Sequence, residues 1–225
     1  MQKIQTDKYI YPPRPSTAIP PDQKEFFREL GWIAQYKYNG SRCMIKHLPG
    51  GEIQLWNRHG ERFRTYNAPE WLKDQIRTAL AILNFDAQGL HILDGELLDQ
   101  KHAAIKDTIV IWDVLVENHE QLLGTTYAHR IARLRNSLSN QEKWLHNGTS
   151  LGIKVMENVF IPEDQNDWNT AWNTVLETNK PYGDKPLLEG LMLKDPNGIL
   201  QMGMREENNG DWQTRCRVKT GRHNF

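Results

Sequence analysis

Cysteine is scarce in this chain of 225 residues, and its two thiols, Cys43 and Cys216, are too few for a disulfide framework or a four-ligand zinc site. Their strand-like surroundings favour buried, unreactive thiols. Long apolar runs are also absent, because the stretch from Ile109 to Val116 is interrupted by Asp113 and is far too short to cross a bilayer. No charged-then-apolar leader opens the chain, so we expect a cytoplasmic protein with no membrane partner.

The chain also has no excess of positive over negative charge. The chain has 28 Lys and Arg against 28 Asp and Glu, which argues against a protein that coats nucleic acid non-specifically. The charges are nevertheless segregated: residues 37–64 hold six basic and two acidic side chains, and residues 215–222 hold four basic and no acidic ones. A local basic cleft is therefore compatible with zero net charge. The eight histidines show no metal-ligand spacing.

Apolar residues are sufficient for one large domain, at 38% of the chain. Five of the eleven prolines fall between Pro12 and Pro21, and they predict an extended N-terminal arm over residues 1–21. Residues 22–225 are predicted to form a single domain. It begins with a short helix that Asp22 caps and that ends at Gly31.

Hydrophobic periodicity and turn signals predict an α+β fold, with helices interspersed among strands. Predicted strands lie near residues 32–37, 42–47, 52–57, 90–98, 107–116, 153–160, 187–194 and 214–219. The first predicted long helix begins at Pro69 and places Trp71, Leu72, Ile76, Leu80 and Leu83 at helical spacing, and further helices cover residues 126–138 and 168–176. A turn at Asn39 and Gly40 separates the first two strands.

The most informative segment is Gln35-Tyr36-Lys37-Tyr38-Asn39-Gly40-Ser41-Arg42, in which a lysine ends a strand and an arginine begins the next. Taken alone, this segment is weak evidence for a catalytic lysine, because most lysines are solvated surface charges. Five further segments follow it in a fixed order. They are NRHGER at residues 57–62, LDGEL at 93–97, VIWDVL at 110–115, EGLMLK at 189–194 and RVK at 217–219.

This ordered set resembles the motifs of the covalent nucleotidyltransferase superfamily, which contains ATP-dependent DNA ligases, RNA ligases and mRNA capping enzymes. The resemblance runs from Lys37 to Lys219. It implies a nucleotidyltransferase fold, similar to ATP-grasp, in which antiparallel sheets flanked by helices enclose a nucleotide cleft. It also implies an enzyme of the ligase class, a minimal form that uses ATP and Mg2+, with Mn2+ as an alternative metal.

The resemblance implies that Lys37 is the nucleophile that forms a lysyl-AMP phosphoramidate. An amine attacks phosphorus only when it is deprotonated, so the pKa of Lys37 has to be lowered by burial or by nearby cations. Lys194 and Lys219 correspond to cations that face the same phosphate and neutralise the charge that develops during transfer. Arg217 belongs to the same ATP-binding set.

Other positions are assigned by the same resemblance. Trp112 stacks on the purine, and Gln35 reads the adenine edge. Glu189 binds Mg2+, and Glu96 binds the ribose or helps the metal. Two arginines, Arg42 and Arg58, hold the ribose and the phosphates, including the 5'-phosphate of the acceptor strand.

Each assignment has a structural alternative when its residue is considered singly. Trp112 alternates with apolar residues and is compatible with core packing. Glu96 and Glu189 are compatible with ordinary acids at strand ends, and Arg58 with a charge beside a turn. Only the shared order of the segments favours the functional interpretation.

Two departures from the family pattern stand out. Asn39 occupies a position where the commonest form of the first motif has aspartate, which removes a charge beside the nucleophile but preserves the turn. The chain ends six residues after Lys219, so we expect one adenylation domain without a C-terminal OB-fold domain. Weak, salt-sensitive binding to nucleic acid is expected, with the cation at Arg222 as a partial substitute for that domain.

The leading hypothesis is an ATP-dependent polynucleotide ligase that adenylates a 5'-phosphate and joins it to a 3'-hydroxyl. Its expected partner is a nicked or splinted duplex of DNA, or a DNA/RNA hybrid, and we expect a monomer, in the host cytoplasm if the chain is viral. The alternatives are an RNA ligase that acts on RNA ends, an mRNA capping guanylyltransferase that uses GTP, and a non-catalytic module that binds nicks.

Overall fold

The computed structural model describes residues 9–98, 107–135, 153–155, 165–202 and 209–217. Its strands are β1 (Thr17–Ile19), β2 (Ile33–Tyr38), β3 (Ser41–His47), β4 (Ile53–Trp56), β5 (His91–Leu98), β6 (Thr108–Glu117), β7 (Glu120–Gln121), β8 (Ile153–Val155), β9 (Leu188–Lys194) and β10 (Gln213–Arg217). Its helices are α1 (Lys24–Glu29), α2 (Glu70–Ile82), α3 (Tyr127–Arg135) and α4 (Gln165–Asn179). The predicted α+β class is confirmed.

The strands form two sheets. Sheet I has the strand order β1-β10-β9-β2, and sheet II has the order β4-β3-β5-β6-β7 with β8 beside β6. Neighbouring strands are antiparallel except for two parallel pairs, β1 with β10 and β6 with β8. The chain passes directly from sheet I to sheet II between β2 and β3, so one short turn joins the two sheets.

Each sheet packs its apolar face against helices. Sheet I buries Ala34 and Leu191 against Trp168 and Val175 of α4. Sheet II is covered by α2 and α3, whose buried apolar side chains pack with those of β3, β5 and β6. These separate clusters fix each sheet on one side and leave the opposite face of sheet I available to line a cleft.

The first helix begins differently from the prediction. Asp22 does not cap it, because residues Pro21–Gln23 form a 3₁₀ turn and Gln23 occupies the N-cap without a side-chain hydrogen bond. Proline at the first position of this turn, with its fixed φ, sets the backbone instead. The predicted stop is confirmed by Gly31, whose φ of +75° lies in the left-handed region.

Two later helices also differ in detail. Trp71 of α2 is 43% exposed, because Leu72 and Ile76 occupy the face that meets sheet II. Helix α4 is longer than the predicted residues 168–176, since its polar flanking residues contain no glycine or proline before Pro181. The predicted residues 136–138, 156–160 and 218–219 lie outside the described part of the chain.

The proline-rich segment packs against the domain. Ile10 is 4% exposed, and the backbone oxygen of Pro13 accepts a hydrogen bond from Arg42 Nη2 at 2.8 Å. The segment ends in β1, an edge strand whose Thr17 lies opposite Thr214 of β10. Within the described ranges, no helix is long and apolar enough to cross a membrane.

Candidate active site

The turn after Lys37 is held between the two sheets. The side chain of Asn39 donates to the backbone oxygen of Pro186 at 2.9 Å, a bond that an aspartate carboxylate could not make. Gly40 has no room for a side chain, because an added Cβ would lie 2.5 Å from Glu96 Cγ. Its N–H donates to Glu96 Oε1 at 3.0 Å, so the glutamate and the lysine turn are fixed to each other.

The strand register of sheet I determines which side chains share the face beyond this turn. Lys37 lies opposite Gly190, which lies opposite Arg217. Two residues before Lys37 on β2, Gln35 lies opposite Met192, which in turn lies opposite Arg215 on β10. Because side chains alternate along a strand, these residues point to one face.

That face lines a cleft of about 690 Å³ between the sheets. Every predicted site residue within the described ranges lines this cleft: Gln35, Lys37, Arg42, Arg58, Glu96, Trp112, Glu189, Lys194 and Arg217. Lys219, the remaining predicted residue, lies outside the described part of the chain, as does Arg222. The fold therefore brings together segments that are up to 182 positions apart in sequence, from Gln35 to Arg217.

Lys37 forms an ion pair with Glu189, whose Oε2 accepts a hydrogen bond from Lys37 Nζ. The same oxygen lies 3.9 Å from Arg217 Nη2, so one carboxylate lies between two cations. Gly190 makes this arrangement possible with a φ of +143° and a backbone so close to β10 that an added Cβ would lie 2.0 Å from Cys216 O. The register of β2 and β9 shifts between Lys37 and Tyr38, which places the nucleophile candidate at an irregularity.

Arg42 is bound to the opposite wall of the cleft by Asp94, a buried carboxylate that the sequence interpretation missed. Arg42 Nε donates to Asp94 Oδ1 at 2.5 Å, and Nη2 contacts Asp94 Oδ2. Its guanidinium carbon also lies 5.2 Å from the centre of the Trp112 ring. Asp94 lies inside the LDGEL segment, but its contact with Arg42 could not be inferred from that segment, because the two residues are 52 positions apart in the sequence.

Trp112 lies in a bulge of β6. Asp94 is opposite Asp113 and Gly95 is opposite Ile111, which leaves Trp112 without a residue opposite it on β5. Bulges re-aim side chains, and here the indole lines the cleft while its Nε1 donates to Asp94 Oδ2 at 3.0 Å. The partly exposed ring is therefore not an ordinary core side chain.

Lys194 is a buried lysine in the wall of the cleft. It is four residues along β9 from Gly190, which corresponds to about 13 Å along a strand. Lys194 is 4% exposed, and its Nζ donates to Tyr127 Oη at 3.0 Å. Burial lowers its pKa from 10.5 to about 7, although Asp113 and Asp94 act in the opposite direction.

Tyr127 is a second residue that sequence reasoning missed. Its hydroxyl lies 2.9 Å from Gln35 Oε1 and 3.0 Å from the backbone oxygen of Trp112, so it links β2, β6 and β9. Burial raises the pKa of this phenol well above 10, so the hydroxyl remains protonated at neutral pH. A single tyrosine at the start of a helix carries no motif signal, so the sequence offered no way to recognise it.

A buried ion pair supports this wall from behind. Arg130 of α3 donates through Nε to Asp113 Oδ1 at 2.8 Å and through Nη2 to Asp113 Oδ2 at 3.1 Å. Neither side chain is more than 2% exposed. The pair ties α3 to β6 beside Trp112, and the spacing of 17 residues between its members gives no signature in the sequence.

The rim of the cleft is basic. Arg58 is exposed, and its Nε donates to His59 Nε2 at 3.0 Å. The rim also contains Arg14, Arg64 and Arg215, which the sequence interpretation did not select. Burial lowers the pKa of Arg215, and repulsion from Arg217 and Arg14 lowers it further, as expected of cations gathered without enough anions.

The predicted metal ligands, Glu96 and Glu189, are both in the cleft. Among the residues with described positions, no group of three or more His, Cys, Asp and Glu side chains could hold a metal ion. Two carboxylates that line one cleft nevertheless fit Mg2+, which binds through one or two carboxylates together with substrate phosphates and water. The donor chemistry therefore agrees with the predicted metal.

The two sheets thus enclose a cleft that contains the ion pair between Lys37 and Glu189. Residues 18–212 match the family model described as ATP dependent DNA ligase domain, and the chain belongs to this family. The chain matches no curated protein sequence.

Solved structures of two DNA ligases show the same fold at low sequence identity, with TM-scores above 0.5. The ATP-dependent DNA ligase from bacteriophage T7, in complex with ATP, has 16% identity and a TM-score of 0.55, with 95% of this chain and 69% of that chain covered. A Lig E DNA ligase, described as DNA binding with a minimal scaffold, has 16% identity and a TM-score of 0.51, with coverages of 92% and 69%. Mycobacterial DNA ligase D, complexed with ATP and MES, has 19% identity and a TM-score of 0.48, with 83% of this chain and 54% of that chain covered. The chain thus spans about half the length of ligase D.

Proposed function

We propose that the chain catalyses ATP-dependent joining of nucleic-acid strands through a lysyl-AMP intermediate on Lys37. The observation that carries this proposal is the convergence of the nine predicted site residues within the described ranges on one cleft, with Lys37 paired to Glu189. Membership of the DNA ligase domain family supports a ligase over a capping guanylyltransferase. The paired lysine also supports an enzyme over a non-catalytic module.

In the first step, Lys37 Nζ attacks the α-phosphorus of ATP. The new P–N bond forms as the bond from α-phosphorus to the bridging oxygen breaks, and pyrophosphate leaves with the electron pair. The amine loses a proton in this step, and Glu189 Oε2 is the carboxylate oxygen in contact with it. When bound, Mg2+ would neutralise phosphate charge beside Glu96 and Glu189.

In the second step, an oxygen of a nucleic-acid 5'-phosphate attacks the AMP phosphorus and the P–N bond breaks, so that Lys37 regains its proton. In the third step, a 3'-hydroxyl attacks the activated 5'-phosphorus, loses its proton and releases AMP. The exposed Arg58 and the guanidinium of Arg42 are the cations proposed to hold the 5'-phosphate. A duplex partner is supported by the basic rim and by the description of Lig E as DNA binding.

The test is the intact mass of the purified chain before and after incubation with ATP and a divalent cation. We expect a gain of one AMP that maps to Lys37 and is absent from Lys37→Ala. The matched control is Lys73→Ala, which removes a lysine on the outer surface of α2 and should still gain one AMP. GTP in place of ATP separates ligase from capping chemistry. An adduct that survives in Lys37→Ala would disprove the site.

The substrate is identified by mixing the adduct with 5'-phosphorylated nicks in DNA, RNA and hybrid duplexes, and with single-stranded RNA ends. We expect discharge of AMP and a sealed strand on a nicked duplex with a DNA template. Discharge only on RNA ends would favour the RNA ligase alternative. Absence of any adduct with ATP or GTP would favour the nick-binding module.

A further inference from the structure

The segment of residues 9–16 crosses from one sheet to the other. Ile10 is 4% exposed and packs in an apolar cluster with Met44 of sheet II. At the other end, Ser16 Oγ donates to the backbone oxygen of Gly210 at 3.2 Å, directly before β1 joins sheet I. Between these two points the segment lines the cleft through Pro12, Arg14 and Pro15. The segment is therefore a wall of the cleft that is attached to both sheets.

The loop that carries Arg58, residues 57–61, is a tight turn organised by Asn57. The side-chain oxygen of Asn57 accepts hydrogen bonds from the backbone N–H groups of His59 at 2.8 Å and Glu61 at 3.1 Å. The backbone N–H of Asn57 donates to the oxygen of Glu61 at 2.7 Å. Arg58 itself is exposed, so the direction of its guanidinium depends on how firmly this loop is held.

Tyr9 holds the 57–61 loop through both its hydroxyl and its ring. Its Oη donates to the backbone oxygen of Asn57 at 2.9 Å. The same oxygen accepts from the N–H of Gly60 at 3.2 Å, so both of its lone pairs are used. Gly60 has a φ of +80°, and an added Cβ would lie 3.1 Å from the Tyr9 ring. The ring is therefore packed directly against the backbone of the loop.

Both arginines that are proposed to hold the 5'-phosphate are contacted by this one segment. Arg42 Nη2 donates to the backbone oxygen of Pro13 at 2.8 Å, and Arg42 is also bound by Asp94. The position of Arg58 has no such carboxylate partner in the cleft wall and is set through the loop that Tyr9 supports. Tyr9 is therefore the residue of the segment whose removal should affect Arg58 most directly.

We propose that Tyr9 is a positioning residue that fixes the 57–61 loop so that Arg58 meets the 5'-phosphate of the acceptor strand. The role of Arg58 comes from the proposed function, on which this inference rests. A guanidinium donates to two phosphate oxygens at once only within a narrow range of directions, so a small displacement of the loop should weaken the contact. A nick that ends in a 5'-hydroxyl lacks this contact and should be much less sensitive to the loop.

The experiment measures the binding of nicked DNA duplexes by fluorescence anisotropy in a Lys37→Ala background without ATP. The two duplexes differ only in a 5'-phosphate or a 5'-hydroxyl at the nick. We expect the 5'-phosphate nick to bind about 10- to 100-fold more tightly, the range for charge-assisted hydrogen bonds. Tyr9→Phe keeps the ring and should lower this ratio about three- to tenfold, the range for one neutral hydrogen bond. General destabilisation would weaken both complexes equally and leave the ratio unchanged.

A double-mutant cycle shows whether Tyr9 acts through Arg58. Arg58→Ala should remove most of the preference for the 5'-phosphate, and Tyr9→Phe should then lower the ratio no further. Gly60→Ala perturbs the same contact from the side of the loop and should also lower the ratio. Tyr66→Phe is the matched control and should not change the ratio, because the Tyr66 hydroxyl donates to Asp107 Oδ1 at 2.8 Å and Tyr66 does not line the cleft. Thermal unfolding of each variant confirms that it is folded.

Three outcomes would overturn the inference. They are an unchanged ratio in Tyr9→Phe, an equal effect of Tyr9→Phe with and without Arg58, and no preference for the 5'-phosphate in the Lys37→Ala protein. The proposed function is tested separately by the lysyl adduct. The expected ratios without an adduct in the unmodified chain would support the role of Tyr9 in a nick-binding module and refute the ligase. An adduct and sealed nicks with a ratio that ignores Tyr9→Phe would support the ligase and refute the role of Tyr9.

Discussion

Lys194 is predicted to make the stability of the fold depend on pH. Its pKa is about 7 in the folded protein and has an ordinary value of 10.5, so between these values the unfolded chain binds more protons than the folded one. The free energy of unfolding therefore rises with pH in this window. With these two pKa values the rise between pH 7 and pH 9 is about 2 kcal/mol.

Four charged groups act on Lys194. Asp94 and Asp113 favour its protonated form, and Arg42 and Arg130 oppose it. Tyr127, its hydrogen-bond partner, has its pKa raised well above 10 by burial and stays neutral.

Two buried thiols act in the opposite direction at higher pH. Burial raises the pKa of Cys43 well above 9 and that of Cys216 to about 11, so stability falls as pH rises above 9 through their unfolded values. The pH range from 7 to 9 is therefore the one in which Lys194 dominates the expected slope.

The assay is urea unfolding monitored by tryptophan fluorescence at pH 7, 8 and 9, for the unmodified chain and for Lys194→Met. Methionine retains the volume but has no charge, so we expect the variant to lose the rise of about 2 kcal/mol and to be more stable at pH 7. Equal slopes for the two proteins would refute the assigned pKa of Lys194 and the reasoning about its burial.

Three further predictions concern the walls of the cleft. Trp112→Ala should weaken ATP binding by about 1–3 kcal/mol in calorimetry if the ring stacks on the base. Arg130→Met should lower the free energy of unfolding in urea by about 3–5 kcal/mol, because it leaves the buried Asp113 unpaired. Arg14→Ala should weaken binding to a nicked duplex and reduce the slope of log affinity against log salt by about 1, measured by fluorescence anisotropy.

Each of these predictions has a matched control. Trp71→Ala removes an indole that is 43% exposed on α2, and it should leave ATP binding unchanged. The double change Asp113→Leu with Arg130→Met removes both charges and should recover part of the lost stability. Arg28→Ala removes an arginine that is paired with Glu25 on α1, and an equal effect on the salt slope would contradict a specific role for Arg14.

The sequence was sufficient to predict the α+β class and most strand positions, because alternation and turn residues are local signals. Gly31, with a φ of +75°, ends its helix as predicted. The cap at Asp22 was wrong because proline geometry took precedence over the side chain. The exposure of Trp71 was not predictable from spacing, since the adjacent Leu72 competes for the same face.

The sequence by itself also selected nine residues that the cleft brings together, through the ordered segments around Lys37, Glu96, Trp112 and Glu189, although it did not select Arg14, Arg64 and Arg215. The tertiary structure alone decided how these residues are held, because the supporting contacts join distant strands and carry no motif. Asp94 on β5 binds Arg42 on the neighbouring strand β3. The hydroxyl of Tyr127 contacts Gln35 and the backbone of Trp112, which are far apart in the chain. Such contacts depend on register and on hydrogen-bond count, which exist only after the sheets have formed.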